Sequence, residues 1–230
     1  MVSIIIPTFN EEEYIGECLK SLPHNHQCEV IVADGGSADR TVAIAESFGA
    51  KVILPGVANR ARQMNAGADA ARGDLLLFFH ADSLLPTGGI ESMIAAMRDS
   101  RVGGGGFTLG FYPARTFQSF QAFGANVFCK ITRILFGDRG IFIRAGHFRQ
   151  IGKFPETIIM EDAALSSSMR RLGKIVILPD VVLTSARKYA SETKLQAIYR
   201  TVWAYTAYRL GVPAEKIKAG YYGLGPKKPH

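Results

Sequence analysis

Four short apolar runs constrain this chain more than any other feature: residues 3–6, 29–33, 51–54 and 74–79. Each has the length of a strand, and each is closed by proline, glycine or a polar cluster. Between them apolar residues recur at helical spacing: Tyr14, Ile15, Cys18, Leu19 and Leu22, then residues 41–48 before Gly49, then residues 59–71. Strands alternating with helices specify an α/β fold built on a parallel sheet with right-handed crossovers.

The loops that follow the strands gather along the carboxyl edge of such a sheet, where open α/β folds bind ligands. Here they are Thr8-Phe9-Asn10-Glu11, Asp34-Gly35-Gly36-Ser37 and His80-Ala81-Asp82. Phe9 can stack on a base. Asp34 can accept hydrogen bonds from a base N–H or a ribose hydroxyl, and Gly35-Gly36 lets the backbone approach a ligand. Asp82 closes the central run; it either caps the next helix or turn, or serves as a hard oxygen ligand. One or two carboxylates plus substrate phosphates commonly hold Mg²⁺ or Mn²⁺. Arg60 and Arg62, near a helix start, suit phosphate charge. Glu161-Asp162 is a second acidic pair, and one of its carboxylates can be a general base.

The second half has a different character. Residues 102–107 are a glycine run ending in Phe107, so Gly105, Gly106 and Phe107 can line a substrate cleft; a turn or an edge strand is the plainer reading. Phe117, Phe120, Phe123, Val127, Phe128 and Ile131 follow at helical spacing, a stripe expected to face the core. Lys130 and Arg133 beside it allow a membrane-surface role. Gly137-Asp138-Arg139-Gly140 is a sharp polar break before a strand at 141–143. A helix is expected over 163–172, and a strand over 174–178 stopped by Pro179-Asp180. From Arg187 onward basic residues outnumber acidic ones. Leu195, Ile198, Tyr199, Val202, Trp203, Thr206 and Leu210 form one face of a basic amphipathic helix, packed on the domain or lying on a membrane.

Several classes are excluded. No Gly-x-x-x-x-Gly-Lys-Ser/Thr loop exists, and the first strand lacks Gly-x-Gly-x-x-Gly. The three cysteines have no Cys-x-x-Cys spacing, which points to a reducing compartment. His24 and His26 have no second ligand pair in view. The N-terminus lacks the pattern of a signal peptide, and no apolar run is long enough to span a bilayer. The net charge of +7 suits an anionic partner. Nucleic acid is not expected, because acids cluster at the strand ends and no aromatic platform interleaves the basic residues.

Taken together, residues 2–12 (Val-Ser-Ile-Ile-Ile-Pro-Thr-Phe-Asn-Glu-Glu), 30–41 (Val-Ile-Val-Ala-Asp-Gly-Gly-Ser-Ala-Asp-Arg-Thr), the His-Ala-Asp at 80–82 and Met160-Glu161-Asp162 resemble family 2 glycosyltransferases of the GT-A fold. The likeness runs over roughly residues 2–185. Residues 59–67, 137–142 and the Tyr-Arg-Leu-Gly-Val segment are similar to a small bacterial, non-processive subgroup.

The resemblance implies a Rossmann-like catalytic domain over 1–186, with a nucleotide-binding half (1–100), an acceptor-binding half (101–186) and a helical extension (187–230). It implies inverting transfer from a nucleotide-diphosphate sugar, usually a UDP-sugar, to a hydroxyl acceptor, with Mn²⁺ or Mg²⁺ as cofactor. Pro7, Thr8, Phe9 and Glu11 fall where the family holds base and ribose. Asp34 falls at a base contact, with Gly35, Ser37 and Asp39 in its loop. Arg60 or Arg62, with Asn65 on the same segment, falls near the diphosphate. His80 and Ala81 precede Asp82, which matches the metal-binding acid. Asp162 matches the base that deprotonates the acceptor, with Glu161 in support. Asp138 and Arg139 fall on the acceptor or diphosphate side.

Two departures stand out: His80 replaces the first acid of Asp-x-Asp, and the Gln-x-x-Arg-Trp motif of processive synthases is absent. The glycine run and the Phe-rich helix suggest an apolar or lipid-linked acceptor. A cytoplasmic location follows, at the inner face of the membrane if the basic C-terminal helix touches it. The rivals are a nucleotide-sugar binder or membrane-surface protein without turnover, and a sugar-phosphate nucleotidyltransferase. The last would need a Gly-rich basic loop after the first strand.

Overall fold

A computed structural model of the chain describes residues 1–23, 25–113, 116–189 and 194–223. His24, the side chains of Leu195, Ile198 and Tyr199, and the C-terminal residues 225–230 lie outside what is described.

Strand β1 (Val2–Thr8) is the axis of the fold. Ile4, Ile5 and Ile6 are all fully buried. Such a run without polar alternation is what a strand covered on both faces requires. Ile4 and Ile6 join one core cluster with Val32, Leu77 and Phe79; Ile5 joins the other with Leu76 and Phe78. Around β1 lie β2 (Cys28–Asp34), β3 (Lys51–Ile53) and β4 (Leu75–Phe78), all paired in parallel. Helices α1 (Ile15–Ser21), α2 (Thr41–Ser47) and α3 (Arg60–Asp69) connect them, as the sequence pattern predicts. At Gly67 a Cβ would come within 2.4 Å of Ile5 Cγ2, so α3 lies close against the sheet only because that position is glycine.

The remaining elements are β5 (Ser83–Leu84), α4 (Gly89–Ala96), β6 (Val102–Tyr112), α5 (Thr116–Thr132), β7 (Ile141–Arg144), α6 (Ala145–Gln150), α7 (Glu161–Met169), β8 (Lys174–Ser185), α8 (Lys194–Arg209) and α9 (Ala214–Gly223). One sheet results, in the order β3-β2-β1-β4-β7-β6-β8-β5. It is mostly parallel; β7 runs antiparallel between β4 and β6, and β5 antiparallel to β8.

Three sequence expectations change here. The glycine run is neither turn nor edge but the buried heart of β6. A Cβ on Gly105 would lie 2.6 Å from the Phe142 ring and 2.4 Å from Val176 O, so large neighbours occupy the space side chains would need. Gly105, Gly106 and Phe107 are buried among these neighbours and present no surface to a cleft. Pro179-Asp180 does not end β8. Phe107 pairs with Leu178 and Thr108 with Val181, so the two residues form a bulge, a place where a strand tolerates proline. Ser92 Oγ donates to Asp180 Oδ1 at 3.1 Å and pins that bulge to α4.

Third, the Phe-rich helix is turned the other way. Phe120, Phe123, Val127 and Ile131 face solvent, while Ala122 and Cys129 face the domain. Helix α8 likewise buries Ala204 and Ala207 and exposes Val202, and Leu210 just past its end is exposed as well. Together α8 and α9 pack against Ile134, Met160 and Ala163. The C-terminal helices thereby brace the start of α7. No helix among the described residues is long and apolar enough to cross a membrane.

Candidate active site

The carboxyl edge of the sheet holds two neighbouring polar clusters, joined by the loop after β4. A small pocket is lined by Arg60, His80, Gly137, Glu161 and Asp162, with Phe78 and Phe154 among its apolar walls. Arg60 opens α3, His80 follows β4, and Glu161 and Asp162 open α7. Four residues singled out in three separate segments thus converge.

Asp162 accepts hydrogen bonds from Gly137 N (2.8 Å) and Ala163 N (2.7 Å). Each of its oxygens keeps acceptor capacity beyond these. Burial and then the negative charge of Glu161 push its pKa up toward neutrality, against those two bonds and the Arg60 charge. Glu161 is buried and pairs with Arg60 at 3.3 Å. Met160, in the left-handed conformation at φ 65°, delivers both acids to the pocket.

In the sequence Gly137 opens a polar break and the 137–142 segment shared with the subgroup, without a role of its own. A Cβ there would stand 2.6 Å from His80 Nε2 and 3.7 Å from Asp162 Oδ2. Its lack of a side chain is what lets imidazole and carboxylate approach the same point.

The second cluster is centred on Arg187. Its Nη2 donates to both carboxylate oxygens of Glu11 (2.7 and 2.6 Å) and lies 3.2 Å from Asp82 Oδ2. Its guanidinium sits 4.3 Å from the Tyr14 ring centroid, a cation–π contact. Tyr112 Oη donates to Asp82 O at 3.2 Å, and burial followed by the Asp82 charge raises its pKa to about 12. In the sequence Arg187 opens the basic C-terminal stretch and lies in Ser185-Ala-Arg-Lys-Tyr, the segment that stands in place of Gln-x-x-Arg-Trp. Its role depends on β8 running past Pro179.

Asp34 departs from expectation. It is fully buried, and its carboxylate accepts from Gly36 N, Ser37 N, Ser37 Oγ and Thr8 Oγ1. These four bonds use the acceptor capacity of the group, so none is left for a base. Burial alone would raise its pKa; the bonds from Ser37, Thr8 and Gly36 outweigh it and hold the group low. Asp34 is the staple of its loop.

Ser37 and Asp39 tie the same loop to the one after β1, through Asn10 N (2.8 Å) and Glu12 N (3.1 Å). Gly35 leaves room for Ala58 Cα, which a Cβ would meet at 2.9 Å. Gln63, part of the 59–67 segment but given no role there, donates from a buried amide to Thr8 O (2.6 Å) and Ala33 O (2.8 Å), joining the ends of β1 and β2.

Other candidates also hold the frame. Asn65 exchanges two hydrogen bonds with the backbone of Phe154, and Arg62 pairs with Glu156 at 2.8 Å. Ala81 is buried in the core. Arg139 is 1% exposed and donates to Asn126 Oδ1 at 2.7 Å, so it faces the interior rather than an acceptor. Pro7 lies in β1 before the loop, and Asp138 lies in the short 3-10 turn after α5. Phe9 is 49% exposed and open to stacking.

No group of three or more His, Cys, Asp or Glu among the described residues could hold a metal ion. Asp82 fits the simpler arrangement of one carboxylate plus substrate phosphates, provided Arg187 gives way.

The sequence profile described as Glycosyl transferase family 2 matches residues 3–155. The chain belongs to this family. It is 36% identical over 104 residues to the PGL/p-HBAD biosynthesis glycosyltransferase of Mycobacterium tuberculosis, covering 42% of this chain and 41% of that one. It is 31% identical over 105 residues to EpsH of Bacillus subtilis, named as a glycosyltransferase, covering 43% of this chain and 30% of that one. The chain thus matches less than half the length of these relatives. Among solved structures, TarS of S. aureus in complex with UDP-GlcNAc superposes with a TM-score of 0.67 at 18% identity, over 97% of this chain and 71% of that one. Glucosyl-3-phosphoglycerate synthase of Mycobacterium tuberculosis, in complex with Mn²⁺, UDP and glucosyl-3-phosphoglycerate, gives 0.63 at 20% identity over 93% and 81%. These neighbours establish a glycosyltransferase fold of the GT-A kind.

Proposed function

We propose that the protein transfers a sugar from a UDP-sugar to a hydroxyl acceptor with inversion at the anomeric carbon. One observation carries the reading. Asp162 sits in a pocket with Arg60 and His80, held by two backbone N–H groups, with its pKa raised toward the range a base needs at neutral pH. The acceptor oxygen bonds to the anomeric carbon as the bond to the diphosphate oxygen breaks, and the acceptor proton passes to Asp162. Arg60, 53% exposed at the pocket rim, offers charge to the departing diphosphate, and Glu161 holds it there. Phe9 offers a face for the base. A divalent cation held by Asp82 would neutralise charge on the leaving nucleotide.

Support for UDP and for a divalent metal comes from neighbours of the fold. TarS structures hold UDP or UDP-GlcNAc, and glucosyl-3-phosphoglycerate synthase holds UDP with Mn²⁺. The test is Asp162→Asn against wild type, measuring UDP binding by calorimetry and UDP release from UDP-sugars with Mn²⁺. Expected are retained UDP binding and a rate lower by about 10²–10⁴-fold. Wild-type turnover in the variant removes Asp162 as the base. UDP bound but never released from a sugar donor by the wild type makes the protein a binder.

A further inference from the structure

Helix α5 is inside out. Phe120, Phe123, Val127 and Ile131, spaced three, four and four residues apart, share one face, and their exposures are 67, 65, 38 and 76%. The opposite face, which touches the domain, carries small residues, Ala122 and Cys129. An ordinary surface helix does the reverse. Its neighbour α8 repeats the arrangement, burying Ala204 and Ala207 while Val202, and Leu210 just past its end, stand 60 and 77% exposed. The two helices touch where Phe128 meets Tyr205 edge-on at 5.1 Å. Contiguous exposed apolar surface of this kind marks an interaction site.

Charge selects the partner. Residues 100–137 contain no Asp or Glu, although the whole chain has 20. Lys130 and Arg133, both exposed, border the apolar face, and exposed Arg209 lies on α8. Large apolar side chains on one face, bordered by cations and free of acids, form the pattern that seats a helix in the boundary layer of an anionic bilayer. We propose that the α5 face docks on an anionic lipid bilayer, lying in its surface rather than crossing it.

The chain passes from the end of α5 through Ile134, Leu135 and Phe136 to Gly137, whose N–H holds Asp162. The chain that carries this face therefore leads, within five residues of its helical end, to the pocket that holds Asp162. The docking itself does not depend on the donor chemistry.

The test uses the full chain with sedimented vesicles of phosphatidylcholine alone or mixed equally with phosphatidylglycerol. Wild type is expected to sediment with the anionic vesicles, less so as salt rises, and weakly with the neutral ones. The triple variant Phe120→Ser, Phe123→Ser, Ile131→Ser is expected to lose binding by about tenfold or more. Its circular dichroism and its UDP release from a soluble donor should remain those of wild type. Lys130→Glu with Arg133→Glu should weaken only the anionic-vesicle binding.

Wild type that ignores both vesicles, or a triple variant that binds like wild type, overturns the proposal. So does a wild-type dimer in light scattering that the triple variant breaks, since a second copy then covers the face. Unchanged UDP release alongside any of these leaves the transfer reaction standing.

Discussion

Gly137→Ala adds one methyl at the point where the two halves of the pocket meet. Gly137 does not have a positive φ, so the substitution brings no backbone strain and acts by contact alone. The new Cβ would lie 2.6 Å from His80 Nε2 and 3.0 Å from its Cε1. That is about 1 Å short of an ordinary contact, so the imidazole or the turn at Gly137 must move by about that much. Overpacking of this size costs about 1–3 kcal/mol. In a chain of 230 residues, each kcal/mol lowers Tm by about 2–4 °C. The effect on rate should be larger in proportion, because a misplacement of about 1 Å in a catalytic group can cost about 10²-fold.

UDP release from a UDP-sugar, together with urea unfolding, reads both quantities. Gly124→Ala is the control. Nothing lies within 4 Å of a Cβ at that position in α5, so the change should stabilise by about 0.5–1 kcal/mol and leave the rate alone. If Gly137→Ala stays within about twofold of wild type in rate, the meeting of His80 and Asp162 at Gly137 is not the reaction centre.

Arg187→Ala frees Asp82 from its cation. Calorimetry should show tighter Mn²⁺ binding without nucleotide, with stability falling by about 1 kcal/mol because the arginine is 38% exposed; unchanged Mn²⁺ affinity would mean that Arg187 and metal do not compete. Gln63→Leu removes buried bonds to Thr8 O and Ala33 O, and urea unfolding should show a loss of about 1–3 kcal/mol, at the lower end if Gly35 N, already on Thr8 O, compensates. The pH profile should show transfer rising as pH climbs through the raised pKa of Asp162. The stability that Asp162 contributes has the opposite sense: present in full below the ordinary carboxylate pKa and lost as pH rises through the raised one. Asp162→Asn should flatten both curves, and a variant with the wild-type profile would assign the titration to another group.

Much of the frame could be read from sequence because burial on both faces writes itself as uninterrupted apolar runs. The strands around β1 and the helices between them follow from that, as do the loops that carry Glu11, Asp34 and Asp82. The convergence of Arg60, His80, Glu161 and Asp162 followed from the family resemblance, since no local pattern links segments 100 residues apart. Sequence reasoning failed where a residue's meaning depends on its neighbours in space. Gly105 reads as flexible until Phe142 and Val176 are seen filling its side-chain space. Asp34 reads as a free ligand until its four internal donors are in place. The α5 stripe has the correct period, but periodicity does not say which side is the core.

The bulge in β8 fixes a distance as well as a bend. Between Leu178 and Val181 the strand gains two residues on β6 before delivering Ser185 and Arg187 to the site. Removing both would keep every later side chain on its present face but draw Arg187 back by about 6–7 Å. Removing one would send the following side chains to opposite faces. In the first case Arg187 would retreat from Glu11 and Asp82 together, removing the guanidinium that the two carboxylates share. Natural length variation at this point should therefore come in pairs of residues, and should be accompanied by a different counter-charge for Asp82.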